Sequence, residues 1–161
     1  MRPVRAQVIL ISGATDGLGK AVALQLARSG ATLLLHGRDE ARGQRTLEEI
    51  RTQTGNTRLQ WYRADFAALS QVRALAERLL LPTLHRSAPA RIVTVSSAGQ
   101  APINFRDVML EHHYDGVQAY CQSKLALVMF TFDLAEELAG TGVTANCLHP
   151  AAYMPTKMVL A

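Results

Sequence analysis

The sequence has few cysteines, few aromatic residues and no long hydrophobic run. Cys121 and Cys147 are its only cysteines, which is too few for the disulfide framework of a small secreted domain. No apolar stretch approaches the roughly 18 residues of a membrane span, and the N-terminus lacks the apolar region of a signal peptide. These absences predict a cytoplasmic protein with no membrane partner.

Charge is also sparse, with 17 Lys and Arg against 13 Asp and Glu in 161 residues. The net charge of +4 is not gathered into a basic run with interleaved aromatics, so we expect no nucleic-acid partner. The pair His112-His113 lacks a third ligand at useful spacing, which predicts a polar loop and no metal site. The 48% of apolar residues suffices for one core, which predicts a single domain over residues 1–161.

Apolar strands alternate with amphipathic helices along the chain. Buried-type strands are predicted at residues 8–11, 32–35, 59–64, 92–95 and 143–148. Helices are predicted after the first strand up to Gly30, after an Asp39 cap up to Gly55, after a Ser70 cap, and over residues 117–138. This order predicts an α/β fold of the Rossmann-like, doubly wound type, in which helices cover a parallel sheet.

A glycine-rich segment joins the first strand to the first helix. Gly13 would permit a tight turn, Gly17 would let the backbone approach a pyrophosphate, and Gly19 would let the helix pack closely. The helix N-terminus would offer N–H donors and a positive dipole end to a phosphate. The alternative is a tight turn that binds nothing. The candidate cofactor-binding residues here are Ser12, Gly13, Thr15, Asp16, Gly17, Leu18 and Gly19.

The residue after the second strand bears on the choice of dinucleotide. A carboxylate there would favour NAD, whereas this chain has Arg38, whose guanidinium suits the 2′-phosphate of NADP. NADP is therefore the predicted cofactor, with NAD possible because Asp39 and Asp16 add negative charge. Asp65, after the third strand, is predicted either to accept a hydrogen bond from the adenine or to organise its own turn.

Tyr120 and Lys124 lie four residues apart, on one face of the long helix. A phenol keeps its proton to about pH 10 unless a nearby cation stabilises the phenolate, and Lys124 would supply that cation. Ser97, at the end of the fourth strand, would hold a substrate carbonyl beside the Tyr120 hydroxyl. Together they predict a carbonyl-reduction site acting on a small-molecule alcohol or carbonyl substrate.

With these motifs the chain resembles the short-chain dehydrogenase/reductase family, in its retinol-dehydrogenase-like branch. The matching segments are residues 12–19, 37–39, 64–66, 91–97, 120–124 and 146–150. The resemblance implies that Ser97 orients the carbonyl, that Tyr120 is the general acid/base, and that Lys124 supports Tyr120 and contacts the nicotinamide ribose. It also implies that Pro150 and Thr156 contact the cofactor, and that two copies pair through the Tyr120/Lys124 helix.

The chain also departs from that family. The family's central strand, which ends in Asn-Asn-Ala-Gly, and a helix carrying a catalytic Asn are absent, and the sequence predicts a deletion junction near residues 79–82. The family's C-terminal substrate-binding elements are absent as well. Two hypotheses result. The chain is either an NADP-preferring oxidoreductase, or an impaired relative that binds dinucleotide weakly or pairs with another chain.

Overall fold

The computed structural model of the protein describes residues 3–76, 83–84 and 87–151. Within them the chain forms two compact units, the first built by residues 3–76 and the second by residues 83–84 and 87–151. The predicted junction at 79–82 lies outside the described residues. None of the described helices combines the length and apolarity that crossing a membrane would require.

The first unit is a three-stranded parallel sheet with helices between its strands. After a 3₁₀ turn at Val4–Ala6, its elements are β1 (Val8–Ser12), α1 (Gly17–Arg28), β2 (Thr32–Gly37), α2 (Glu40–Thr54), β3 (Leu59–Arg63) and α3 (Leu69–Leu75). The strand order is β1-β2-β3, and Leu35 of β2 pairs with Ile11 on one side and Trp61 on the other. The carboxyl ends of the three strands therefore lie along one edge.

The core of this unit gathers on the central strand. Leu33 and Leu35 of β2 are fully buried, as is Ile50 of α2, and Ala23 and Ala27 of α1 join them. A strand flanked on both sides and covered by helices buries nearly every residue, which explains the continuous apolar run in the sequence. This core holds the strand ends that carry the candidate binding residues.

Local capping explains where the helices begin and end. Asp39 caps α2 by accepting a hydrogen bond from Arg42 N at 2.9 Å, and Gly55 ends that helix in the left-handed region at φ 69°. The predicted Ser70 cap is wrong, because Ala68 precedes α3 without a side-chain cap. Asp65 organises this turn instead, since its Oδ1 accepts from Ala67 N at 3.0 Å.

Trp61 fixes the approach of α2 to the sheet. Its ring lies against Gly43, where a methyl group would overlap the indole atoms, and its Nε1 donates to Glu40 Oε2 at 3.0 Å. Trp61 is thus a strand residue that packs against a helix.

The second unit pairs two parallel strands with one long helix. Its elements are β4 (Ala90–Val95), α4 (Gly116–Glu137) and β5 (Val143–Leu148), with Ile92 opposite Ala145 and Val95 opposite Leu148. α4 packs against both strands. Val143 and Ala145 are buried, whereas alternate residues of the strands remain exposed, including Val93, Val95 and Leu148.

The described strands thus form two sheets, one of three strands and one of two. The predicted α/β class with parallel strands is confirmed, and the sheet is incomplete. Among the described residues β1 forms a ladder with β2 alone and β4 with β5 alone.

Candidate active site

The glycine turn after β1 depends on backbone conformations that favour glycine. Gly13 and Gly17 have φ angles of 68° and 50°. A methyl group at Gly19 would overlap the carbonyl oxygen of Gly13 and would lie 2.9 Å from its carbon. The predicted need for Gly19 thus has a definite cause, which is the close approach of α1 to the turn.

Asp16 has two roles in this turn. Its Oδ1 accepts from Gly17 N at 2.9 Å, which caps α1, and its Oδ2 lies 3.3 Å from Arg42 Nη2 of α2. Arg42 therefore offsets the negative charge that the sequence analysis counted against NADP. No local sequence pattern indicates this pair, because Asp16 and Arg42 are 26 residues apart.

A recess of about 270 Å³ opens beside the turn, between α1 and α2. Its cations are Lys20, Arg42 and Arg45, and its carboxylates are Asp16 and Glu49. Lys20 is paired with Glu49 at 2.7 Å, and Arg42 with Asp16. Thr15 also lines the recess, so a phosphate group that entered it would meet cations next to the glycine turn.

Arg38 and Asp65 follow β2 and β3 at the same edge of the sheet. Arg38 is exposed, and among the described residues its side chain has no hydrogen-bond or ion-pair partner. Asp65 takes the turn role predicted for it, since its carboxylate accepts from Ala67 N and its own N–H donates to Gln71 Oε1 at 2.9 Å. A contact between Asp65 and adenine stays a prediction.

The second unit brings Ser97, Tyr120 and Lys124 close together. Ser97 Oγ lies 3.6 Å and Tyr120 Cε1 3.9 Å from the point where a Cβ of Gly99 would stand. Lys124 Nζ is 5.3 Å from the centroid of the Tyr120 ring and 3.5 Å from the carbonyl oxygen of Val95. The i, i+4 spacing therefore places the Lys124 ammonium group over the Tyr120 ring.

The Ser97 hydroxyl is free to donate its hydrogen. Its Oγ accepts from Gly99 N at 3.1 Å, and among the described residues no acceptor is recorded for the hydroxyl hydrogen. Ser97 and Tyr120 are both partly exposed, so a small molecule can reach them. The second unit therefore gathers the Ser97 hydroxyl, the Tyr120 ring and the Lys124 ammonium group at a partly exposed place.

Two supporting residues were missed by the sequence analysis. Ser96 is buried, and its Oγ donates to the backbone oxygen of Lys124 at 2.8 Å, which ties the end of β4 to α4. Gln122 is buried within the Tyr120–Lys124 segment and donates to Val108 O at 2.8 Å. For both residues, the only sequence signal is a polar side chain on the face of a strand or helix that the fold covers.

The structure says less about the remaining residues of the sequence prediction. Pro150 is exposed after β5, and Thr156 lies outside the described residues. His112 lies in an exposed loop with Asp107, whose pKa is held below its ordinary value mainly by N–H donors from Glu111 and His112. No cluster of potential metal ligands occurs among the residues described.

Comparison with known proteins gives a consistent result. The sequence profile of the short chain dehydrogenase family matches this chain in two segments, residues 7–81 and 76–160. Retinol dehydrogenase 13 of Mus musculus is 31% identical over 195 positions that cover 91% of this chain and 58% of that protein. Human Retinol dehydrogenase 12 is 33% identical over 191 positions, covering 89% of this chain and 60% of that protein.

These lengths carry information of their own. The chain spans about 60% of the length of these curated relatives. An alignment of 195 positions exceeds the 161 residues of this chain, so the relatives hold residues inside the matched region that this chain lacks. The two profile segments overlap at residues 76–81.

Solved structures share the fold. A protein of Pseudomonas syringae described as a short chain dehydrogenase superposes with a TM-score of 0.78 at 25% identity, over 98% of this chain and 81% of that one. The NADP complex of Pseudomonas aeruginosa RhlG superposes with a TM-score of 0.76 at 23% identity, over 98% of this chain and 78% of that one.

Proposed function

The chain belongs to the short chain dehydrogenase family, and on that premise we propose that it is an NAD(P)-dependent oxidoreductase that interconverts an alcohol and a ketone or aldehyde. One observation carries the proposal. Ser97 Oγ and the Tyr120 ring lie within 4 Å of one point beside Gly99, and the Lys124 ammonium lies over that ring. Two hydroxyl donors and a cation are the groups that transfer of a proton to a carbonyl oxygen requires.

The first unit would hold the dinucleotide. The close contact at Gly19 and the left-handed glycines expose the backbone of the turn to a pyrophosphate, and α1 adds its dipole. We assign cofactor contacts to the turn, Arg38 and Asp65, with Tyr120, Lys124, Pro150 and Thr156 as implied by the family. When bound, the nicotinamide ring would exchange a hydride with the substrate carbon.

NADP is proposed over NAD for two reasons of charge. Arg38 is exposed without a side-chain partner among the described residues, and Arg42 neutralises Asp16. A 2′-phosphate would then find the Arg38 guanidinium as its cationic partner, with the charge of Asp16 already offset. The NADP complex of RhlG supports the cofactor class.

The chain's own residues would divide the chemistry between them. Tyr120 gives its hydroxyl proton to the carbonyl oxygen during reduction and takes one from the alcohol during oxidation. Ser97 donates a second hydrogen bond to the same oxygen, because its hydroxyl hydrogen has no acceptor in the part of the chain that the structure describes. Lys124 stabilises the phenolate left on Tyr120, since its ammonium lies 5.3 Å from the centre of that ring.

The test is NADPH oxidation by the full chain with a panel of aldehydes and ketones. The panel includes retinal, because the similar curated proteins are named retinol dehydrogenases. We expect Tyr120→Phe to lower the rate by about 10²- to 10⁴-fold, the usual contribution of a general acid. Tyr114→Phe is the matched control, since this tyrosine is 76% exposed. Equal rates in wild type and Tyr120→Phe would refute the assignment.

A second function is favoured by the two-segment profile match and by the pairing of β1 with β2 alone among the strands that the structure describes. In this alternative the chain binds dinucleotide weakly or pairs with another chain, and turns nothing over. Pairing would use α4, where Met129 and Phe130 are exposed. Saturable NADPH binding without turnover would select the binding module, and sedimentation would detect the pairing.

The compartment is a separate question. Cys121 and Cys147 are both free thiols, which suits a reducing environment and keeps the cytoplasm as our proposal. Fractionation of cells that express the chain tests it.

A further inference from the structure

His36 of β2 is a buried histidine that connects three strand ends. Its side chain lies where β1 and β3 also end, and the residue is only 3% exposed. Nδ1 is 3.0 Å from Ser12 Oγ, and Nε2 is 3.0 Å from the carbonyl oxygen of Ala64. Because that carbonyl can only accept, Nε2 carries the hydrogen, and in the neutral ring Nδ1 accepts the hydroxyl hydrogen of Ser12.

The backbone of His36 strengthens the same connection. Its carbonyl oxygen accepts from Ala14 N at 3.1 Å, so this one residue holds the glycine turn at both Ser12 and Ala14. The bond to Ala64 holds the segment that immediately precedes Asp65. The ring of Phe66 stacks on the imidazole with centroids 4.3 Å apart and an interplanar angle of 18°.

We propose that His36 is a positioning residue that fixes the glycine turn relative to the segment bearing Asp65, and that its protonation loosens the turn and weakens dinucleotide binding. This inference rests on the proposed function, because the turn matters only if it binds a dinucleotide. His36 itself touches no substrate, and it acts through Ser12, Ala14 and Ala64.

The surroundings of the ring favour its neutral form. Ser12 faces it from β1, and the Ala64 carbonyl and Phe66 face it from the segment after β3. The nearest acidic residues along these segments are otherwise engaged, since Asp16 pairs with Arg42 and Asp65 accepts from Ala67 N. Burial lowers the pKa of His36 below 6.5, and the hydrogen bond to Ala64 partly opposes this effect.

Protonation would change the direction of one hydrogen bond. With a hydrogen on Nδ1, the ring becomes a donor on both sides, so the Ser12 hydroxyl must rotate and lose its acceptor. A buried cation would also lie beside Ser12 without a carboxylate in ion-pair contact among the residues described. The glycine turn would relax to reduce this cost.

The experiment measures NAD⁺ binding to the full chain by calorimetry from pH 7.5 to pH 5. NAD⁺ is chosen because it lacks the 2′-phosphate, a group that itself titrates near pH 6. We expect wild-type affinity to fall about five- to tenfold as pH decreases, the effect of one lost buried hydrogen bond. His36→Gln keeps one donor and one acceptor but does not titrate, so its affinity should stay constant over this range.

A second readout needs no ligand. The amide NMR signals of residues 13–19 should move with pH in the wild type, with the midpoint of the His36 ring signals, and should not move in His36→Gln. Such shifts without NAD⁺ binding would uphold the positioning role and refute the proposed function. The inference would be overturned if the amide signals of residues 13–19 did not follow the titration of His36, or if they moved to the same extent in His36→Gln.

Discussion

Replacing Gly19 with alanine tests the glycine turn most sharply. Ala is favoured over Gly within a helix by up to about 1 kcal/mol, so Gly19→Ala should stabilise α1 if nothing lay nearby. In this protein the added methyl would overlap the Gly13 carbonyl oxygen and would lie 2.9 Å from its carbon and 3.4 Å from Ala14 Cα. The neighbour is backbone, which cannot rotate away as a side chain can.

The size of the effect follows from these distances. An ordinary contact needs about 3.4 Å, so the Gly13 carbonyl must retreat by about half an ångström or more. Overpacking of this kind costs about 1–3 kcal/mol, which exceeds the gain in helix propensity. If the dinucleotide needs the undistorted turn, the same cost weakens binding by about 5- to 150-fold.

The assay is calorimetric titration of Gly19→Ala with NADPH, accompanied by a thermal melt. Gly116→Ala is the matched control, because a Cβ there would meet only the Tyr114 hydroxyl, at 3.9 Å. We expect the control to bind NADPH and to melt as the wild type does. A Gly19→Ala protein that melts higher than the wild type and binds NADPH equally well would refute the steric argument.

Three further predictions concern the catalytic group and its supports. Gly99→Ala should fold normally, since its Cβ would make ordinary contacts of 3.6–3.9 Å with Ser97, Cys121 and Tyr120. It should nevertheless slow carbonyl reduction about 100-fold, because the methyl group would fill the space beside the Ser97 hydroxyl and the Tyr120 ring. An unchanged rate would place the substrate elsewhere. Gln122→Leu should lower the free energy of unfolding by about 1–3 kcal/mol in a urea titration, because the hydrogen bond to Val108 O is lost. An unchanged free energy of unfolding would contradict a structural role for Gln122. The free energy of unfolding of the wild type should fall as pH decreases below 6.5. Burial lowers the pKa of His36 in the folded chain, so the unfolded chain binds more protons in this range. The decrease should be smaller in His36→Gln.

Much of the fold could be predicted from local sequence. The predicted strand at residues 143–148 is confirmed with the same bounds in β5, because apolar residues alternate with the polar Thr144 and Asn146, as in a half-buried strand. Asp39 and Gly55 mark the ends of α2 because capping needs only neighbouring residues. The predicted Ser70 cap is wrong because Asp65 organises the turn that precedes α3. The Oδ1 atom of Asp65 accepts the hydrogen bond from Ala67 N, and α3 begins without a side-chain cap.

The long-range contacts could not be predicted. Ser12 and His36 are 24 residues apart and Asp16 and Arg42 are 26 apart, and only the parallel pairing of β1 with β2 brings them together. The Tyr120–Lys124 pair could be predicted, because residues four apart lie one helical turn from each other. The division of the described strands into two sheets depends on which strands pair with each other. Such pairing is a property of the whole fold, so local sequence does not predict it.

The most direct test of the central claim is transfer of deuterium from NADPH labelled at the nicotinamide C4 to an aldehyde, followed by mass spectrometry of the alcohol. The account predicts labelled alcohol from the wild-type chain and a rate at least about 100-fold lower for Tyr120→Phe. A folded wild-type chain that binds NADPH but yields no labelled alcohol would contradict it.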